Sequence, residues 1–220
     1  MKKVAKKTIC ILLCLAICFG FGGCSSNKMS EKNVTATVEK VEGAFKSLNV
    51  ATLGKYIKFE SLSNLSSSLG EDVNLAESIS IGKLSDLKPF AKLCTIIFEN
   101  LEIKTESINL EEMTVDVSIT NKDYYSPAII FAYNLKRNYS TQELIALMGN
   151  QARFEEKLNE LITSLESSEA PTQTTTVTLK IEQGDRNLVL VLDKDAEHAV
   201  TGGVLSAITT IFGIKTDNIQ

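Results

Sequence analysis

The chain's single imidazole, His198, closes the run Asp193-Lys194-Asp195-Ala196-Glu197-His198. Three acids and a His within six residues raise the question of a bound cation. A calcium loop needs Gly at its sixth position and a bidentate Glu at its twelfth, and here His198 and Val204 stand there. The run reads better as acids at the exposed start of a terminal helix, where the helix dipole favours them. Glu111-Glu112 and Glu155-Glu156 are adjacent acids. Neighbours on a strand or helix do not converge on one point, as a general acid/base pair must. Asp123, beside Tyr124 and Tyr125, is the one acid placed to face a cavity mouth; the competing reading is a cap or turn residue before Ser126-Pro127. Cys94 falls at helical spacing among Phe90, Leu93, Ile97 and Phe98, which suits a buried small hydrophobe and not a nucleophile. Gly202-Gly203 lacks the Lys-Ser or Lys-Thr of a phosphate loop. Asn33-Val34-Thr35, Asn64-Leu65-Ser66 and Asn138-Tyr139-Ser140 fit the glycosylation formula, a chance event in a chain this rich in Ser and Thr. No catalytic residue, cofactor or metal ligand is assigned, and the expectation is a protein that is not an enzyme.

Cys24 is a different kind of candidate. Lys2, Lys3, Lys6 and Lys7 form a basic start, followed by an apolar stretch over residues 8–21. That is the layout of a secretory signal, and the stretch is shorter than the roughly 20 residues of a membrane span. It ends in Phe21-Gly22-Gly23-Cys24 before the polar Ser25-Ser26-Asn27-Lys28. Small residues before a Cys resemble a bacterial lipobox, which implies cleavage after residue 23 and diacylglyceryl attachment to Cys24. Two acyl chains, at about 0.8 kcal/mol per buried CH₂, make a stable anchor where one would be marginal. The expected location is the extracytoplasmic face of the cell membrane. Cys10, Cys14 and Cys18 leave with the signal, so Cys94 is the only other thiol and no intrachain disulfide is expected.

Removing residues 1–23 takes away four Lys and no acid, leaving 19 Lys and Arg against 27 Asp and Glu, a net charge of −8. Nothing in that balance suits nucleic acid. Of the whole 220 residues 44% are hydrophobic and 23% charged, enough for one ordinary core without disulfides. The sequence divides into a signal peptide (1–23), a polar tether (24–32) and a single domain (33–220).

Within the domain, Val34, Val38, Val41, Phe45 and Leu48 recur at steps of four and three, the stripe of an amphipathic helix. Asn49 caps a short helix with Val50, Leu53, Tyr56 and Ile57 on its buried side. Residues 58–85 are Ser- and Gly-rich, and Leu62, Leu65 and Leu69 hint at one irregular turn or short helix. The spacing predicts a third helix over 86–100, with Pro89 in its first turn. The period then changes to two. Leu101, Ile103 and Thr105 alternate, a turn falls at 109–112, and Met113, Val115, Val117 and Ile119 alternate with polar residues: a half-buried hairpin. Ser126-Pro127 signals a helix start, Ser140 to Glu143 has capping-box spacing, and Phe154, Leu158, Leu161, Ile162 and Leu165 mark a further helix. Thr175, Val177, Leu179 and Ile181 give a third strand. Residues 184–187 supply a turn, and the apolar run 188–192 suits a strand covered on both faces. The tail to about residue 212 is apolar and helical, interrupted at Gly202-Gly203, where close packing against the sheet is expected.

This order resembles the cystatin-like and nuclear-transport-factor-2-like α+β roll, and specifically Gram-positive lipoproteins of unknown function built on it. The resemblance is carried by residues 38–57, 113–123 and 188–203, about a third of the chain after residue 23. It implies a curved antiparallel sheet packed on a long N-terminal helix, with a helical insertion and a cavity between sheet and helix. It implies no reaction, because such folds host enzymes, binding modules and inert domains alike. Three functions compete: a membrane-anchored binding domain with a protein or apolar ligand as its partner, a structural envelope component without a ligand, and a small hydrolase or isomerase using an acid such as Asp123. The first is favoured, with the apolar residues of the 126–167 helices (Phe131, Tyr133, Leu144 and Phe154) as the expected contact surface.

Overall fold

The structure, a computed structural model, describes residues 29–60, 87–148, 150–184 and 187–212. Cys24, residues 62–69, Asn64, Asp185 and Arg186 lie outside the described residues. Helix α1 (Glu31–Lys46) forms as its stripe predicts: the Ser30 hydroxyl accepts the Asn33 N–H, and Val34, Val38, Val41 and Phe45 are buried. Its end is a Schellman turn. The Leu48 N–H bonds the Phe45 carbonyl, and the Asn49 N–H bonds the Ala44 carbonyl, with Leu48 at φ 52° in the conformation glycine usually supplies. Leu48 keeps that position because its side chain packs on the core. Asn49 then caps α2 (Val50–Tyr56) through the Thr52 N–H.

The sheet differs from expectation at one edge. Residues 57–59, read above as a helix end and the start of a loop, form β1 (Ile57–Phe59), which pairs in parallel with β5 (Leu188–Leu192). The remaining strands are antiparallel as predicted: β2 (Glu102–Asn109), β3 (Thr114–Lys122) and β4 (Thr172–Gln183), in the order β1-β5-β4-β3-β2. The sheet is therefore mixed, not purely antiparallel, and the fold is α+β. The parallel strand arises because Ile57 and Phe59 bury beside Leu190 and Leu192 while Lys58 faces out. Lys58 reaches across β5 to Glu182 on β4 (2.9 Å), so the outer side of β5 lies beneath an ion pair.

Alternation is cleanest in β3, where Val115, Val117 and Ile119 are buried between half-exposed Thr114, Asp116, Ser118 and Thr120. At the free edge, β2 carries exposed Glu102, Lys104 and Glu106 and a bulge between Thr105 and Ser107. Charges and a bulge are how sheet edges avoid pairing with other chains. Helix α1 packs on β2 and β5. Glu102 is held below the usual carboxylate range first by Lys104 and then by Lys46 of α1. Lys104 is raised first by Glu102, with Glu42 of α1 adding to the effect.

Against the same core lie α3 (Lys88–Phe98), which buries Phe90, Leu93, Cys94, Ile97 and Phe98, and α6 (Gln151–Glu166), capped by Asn150 through the Arg153 N–H. Helix α4 (Tyr125–Asn138) starts one residue earlier than Ser126-Pro127 suggests, and the Asp123 carboxylate takes up the Tyr125 N–H (2.9 Å). The predicted capping box opens α5 (Thr141–Met148): Glu143 accepts the Ser140 N–H at 2.7 Å and the Ser140 hydroxyl accepts the Glu143 N–H at 3.3 Å. The tail forms α7 (Lys194–Val200) and α8 (Val204–Phe212), and α8 packs along α4.

Candidate functional site

The end of the sheet where β3 stops brings together several of the residues singled out above. Ile119 is followed on the inner face by Asn121, a buried amide. Its Nδ2 donates to the Val200 carbonyl at the end of α7 (2.9 Å), and its Oδ1 accepts the Lys122 N–H (2.9 Å). Asn121 thus replaces an apolar inward residue with a clamp on the terminal helix. The period-two pattern Val115, Val117, Ile119 pointed to an inward residue at 121, which the sequence reading did not single out.

The joint between α7 and α8 is built on glycine. α7 ends in a second Schellman turn: the Gly203 N–H bonds the His198 carbonyl (2.8 Å), and Gly202 and Gly203 have φ of 56° and 77°. The Gly202 carbonyl accepts the Tyr124 N–H (2.7 Å). A Cβ on Gly202 would overlap the Lys122 carbonyl oxygen, and one on Gly203 would lie 2.7 Å from Cβ of Tyr125. The expected close approach is therefore made, to the end of β3 and the start of α4.

Around this joint Asn121, Lys122, Asp123, Gln173, His198 and Gly202 line a recess with about 20 Å³ of free volume. That is room for about one water molecule and none for a metabolite. Asp123 has both carboxylate oxygens engaged, with the Tyr125 N–H and with Nε2 of Gln173 (2.9 Å each). It serves as the turn residue before α4 while also lining the recess. The His198 ring packs against Tyr125 with centroids 5.6 Å apart.

The acidic run does not converge. Asp193 is the N-cap of α7, accepting the Ala196 N–H at 2.9 Å, and Asp195 is exposed. Glu197 is buried, which corrects the expectation that all three acids sit on an exposed helix start. Seven residues of helix place position 197 one turn beyond the cap, on the side α7 turns toward the sheet. Among the described residues no group of three or more His, Cys, Asp or Glu could hold a metal ion. Glu111 and Glu112 are exposed in the hairpin turn, and Glu155 and Glu156 lie on the outer side of α6.

On the outer face of the sheet, Asp116 accepts the Ser107 hydroxyl of β2 (2.5 Å) and the Thr178 hydroxyl of β4 (2.6 Å). Ser118 donates to Glu106 (2.6 Å), and Thr120 and Thr174 share a hydrogen bond at 2.8 Å. The Thr-rich β4 is thus the solvated side of a cross-strand hydroxyl network. The Ser107 and then the Thr178 hydroxyl hold the Asp116 carboxyl below its ordinary 3.8. A carboxyl lowered in the folded state stabilises above its unfolded pKa, and the effect fades as pH falls through the folded pKa. Asp116→Ala should therefore lower the melting temperature at pH 7 and have a smaller effect below about pH 3, read from melting curves across that range. An equal difference at both pH values would contradict this role.

On the inner faces expected to line a cavity, the described residues pack against one another. Phe45, Leu93, Ile97, Leu101, Val115, Val117, Leu179 and Leu190 belong to one contiguous buried core. Among the described residues the exposed large hydrophobics are Leu110, Met113, Ile130 and Tyr133. Of the apolar residues expected to form a contact surface, Leu144 is buried, Phe131 and Phe154 are half-buried, and Tyr133 is 55% exposed beside Ile130 at 60%. α4 buries Ala128 and Ala132 instead. No described helix is long and apolar enough to cross a membrane. No family model, no curated protein and no solved structure matches this chain.

Proposed function

We propose that this protein is a lipid-anchored extracytoplasmic domain of the nuclear-transport-factor-2-like roll type that acts by binding and not by catalysis. The anchor reading rests on the basic start, short apolar stretch and Gly22-Gly23-Cys24 junction. The binding reading rests on one observation: α4 leaves Ile130 and Tyr133, two large apolar side chains a turn apart, facing solvent while its alanines serve the core. A helix with Ile and Tyr at i and i+3 on its outer side is a surface that a protein or apolar ligand would cover.

Radiolabelled palmitate fed to producing cells should enter the wild-type chain and be absent from Cys24→Ala. Label retained in that variant would refute acylation at Cys24. For the binding surface, Ile130→Ser combined with Tyr133→Ser should change stability by no more than about 0.5 kcal/mol per site. The same pair should abolish cross-links formed in cells through a photoreactive group placed at Asn134 of α4. Unfolding of the double variant would place this face in the core and remove the proposed site.

A further inference from the structure

We propose that the turn of the β2–β3 hairpin is a membrane-contact site, with Leu110 and Met113 resting on the bilayer to which Cys24 is anchored. This rests on the acylation of Cys24 proposed above and adds which end of the domain meets the lipid. Leu110 (39% exposed) and Met113 (36% exposed) flank the turn, so both apolar side chains project from the same tip. Met113 adopts φ 55°, and its carbonyl is fixed by the Ile181 N–H (2.8 Å), so the turn is tied to β4 and its direction is set by the sheet.

The position of the anchor follows from how α1 lies on the sheet. Phe45, in its last turn, meets Phe98 just before β2 begins, with centroids 4.9 Å apart. Lys40, nearer the head of α1, donates instead to the Tyr56 hydroxyl (3.1 Å) beside β1. β1 and β5 lie level with the hairpin end, Leu190 opposite Ile181 and Thr114 opposite Lys180. α1 therefore runs opposite to β2. Sixteen helical residues span about 24 Å, and eight strand residues about 26 Å. Ser30, at the head of α1, thus lies toward the end of the sheet that carries the hairpin turn, away from the end where β3 passes into α4. From Ser30 to Cys24 are six residues, which reach at most roughly 20 Å when fully extended. A chain that short holds this end of the domain at the bilayer surface.

The exposed Glu111 and Glu112 between the two apolar residues set the kind of contact. Their carboxylates remain hydrated at the level of the headgroups, so the contact is shallow and favours zwitterionic lipid over an anionic surface that would repel them.

The test uses the acylated chain reconstituted in phosphatidylcholine vesicles, with an environment-sensitive fluorophore at Met113→Cys, at Leu110→Cys, or at Thr172→Cys. Thr172 pairs with Lys122 at the far end of the sheet and is exposed, and Cys94 is buried and stays unlabelled. The expected result is a blue shift at 110 and 113, with loss of emission when doxyl-labelled phosphatidylcholine is included, and neither effect at 172. Replacing part of the lipid by phosphatidylglycerol should weaken both effects. Vesicle-bound protein with water-like emission at 110 and 113 would overturn the contact site and leave acylation standing. Protein that fails to float with vesicles and carries no palmitate would overturn both.

Discussion

Gly202→Ala is expected to destabilise the protein by about 3 kcal/mol or more. The left-handed conformation costs a residue with a Cβ roughly 1–2 kcal/mol, and forcing an atom into a packed site typically costs about 1–3 kcal/mol. Both apply here, because Gly202 has φ 56° and its added Cβ would overlap the Lys122 carbonyl oxygen. Relief would require moving backbone, since the obstructing atom belongs to the end of β3. It would also disturb the Tyr124 N–H bond to the Gly202 carbonyl and, through Val200, the Asn121 clamp. Gly43 provides the control. It lies in α1, is exposed, and has open space where a Cβ would go. Gly43→Ala should stabilise by about 0.5–1 kcal/mol, the ordinary helix-propensity difference. Urea denaturation of the two variants beside wild type reads both effects. Equal stabilities for Gly202→Ala and wild type would mean that the α7–α8 joint is not the tight approach described.

Phe45→Ala should cost about 3–5 kcal/mol, the range for emptying a fully buried aromatic site. Phe45 is completely buried, and its ring meets Phe98 with centroids 4.9 Å apart at 41°. The pair joins the end of α1 to the end of α3 immediately before β2 begins, so the cavity opens where the long helix, a second helix and the sheet edge meet. Phe45→Leu, which restores most of the volume, should cost about 1–1.5 kcal/mol. Thermal melts distinguish the two. A small loss for Phe45→Ala would show that α1 is held by its capping and surface contacts more than by its apolar stripe.

Legibility in the sequence followed the range over which each feature is decided. The stripe of α1, the Asn49 cap, Pro89 at the start of α3, the Ser140–Glu143 capping box and the alternation of β3 and β4 all depend on residues within a turn or a strand of one another. Side-chain periodicity and short-range hydrogen bonds express these directly in the order of residue types. The two hairpins and their packing on α1 were readable for the same reason, since each burying face repeats along its own element. The signal-like start ending at Cys24 is read from order and composition alone and lies outside the described residues.

What residue order did not reveal depends on partners distant in the chain. Three residues, Ile57-Lys58-Phe59, carry too little periodicity to name a strand, and they become one only because Leu190 and Leu192, about 130 residues later, offer a free edge. Glu197 is buried because α7 folds back onto the sheet, which a local count of acids does not register. Asn121 looks ordinary in the sequence and becomes a clamp where β3, α4 and α7 converge, and the close approach expected at Gly202-Gly203 finds its partner, the Lys122 carbonyl, only there. The outer face of α4 was decided the same way. Tyr133 was expected on a contact surface, but that Ile130 is exposed beside it while Leu144 is buried, and that α4 turns Ala128 and Ala132 to the core, was settled by packing. Local order thus determined the elements and their apolar faces, and tertiary packing decided which of those faces were left exposed.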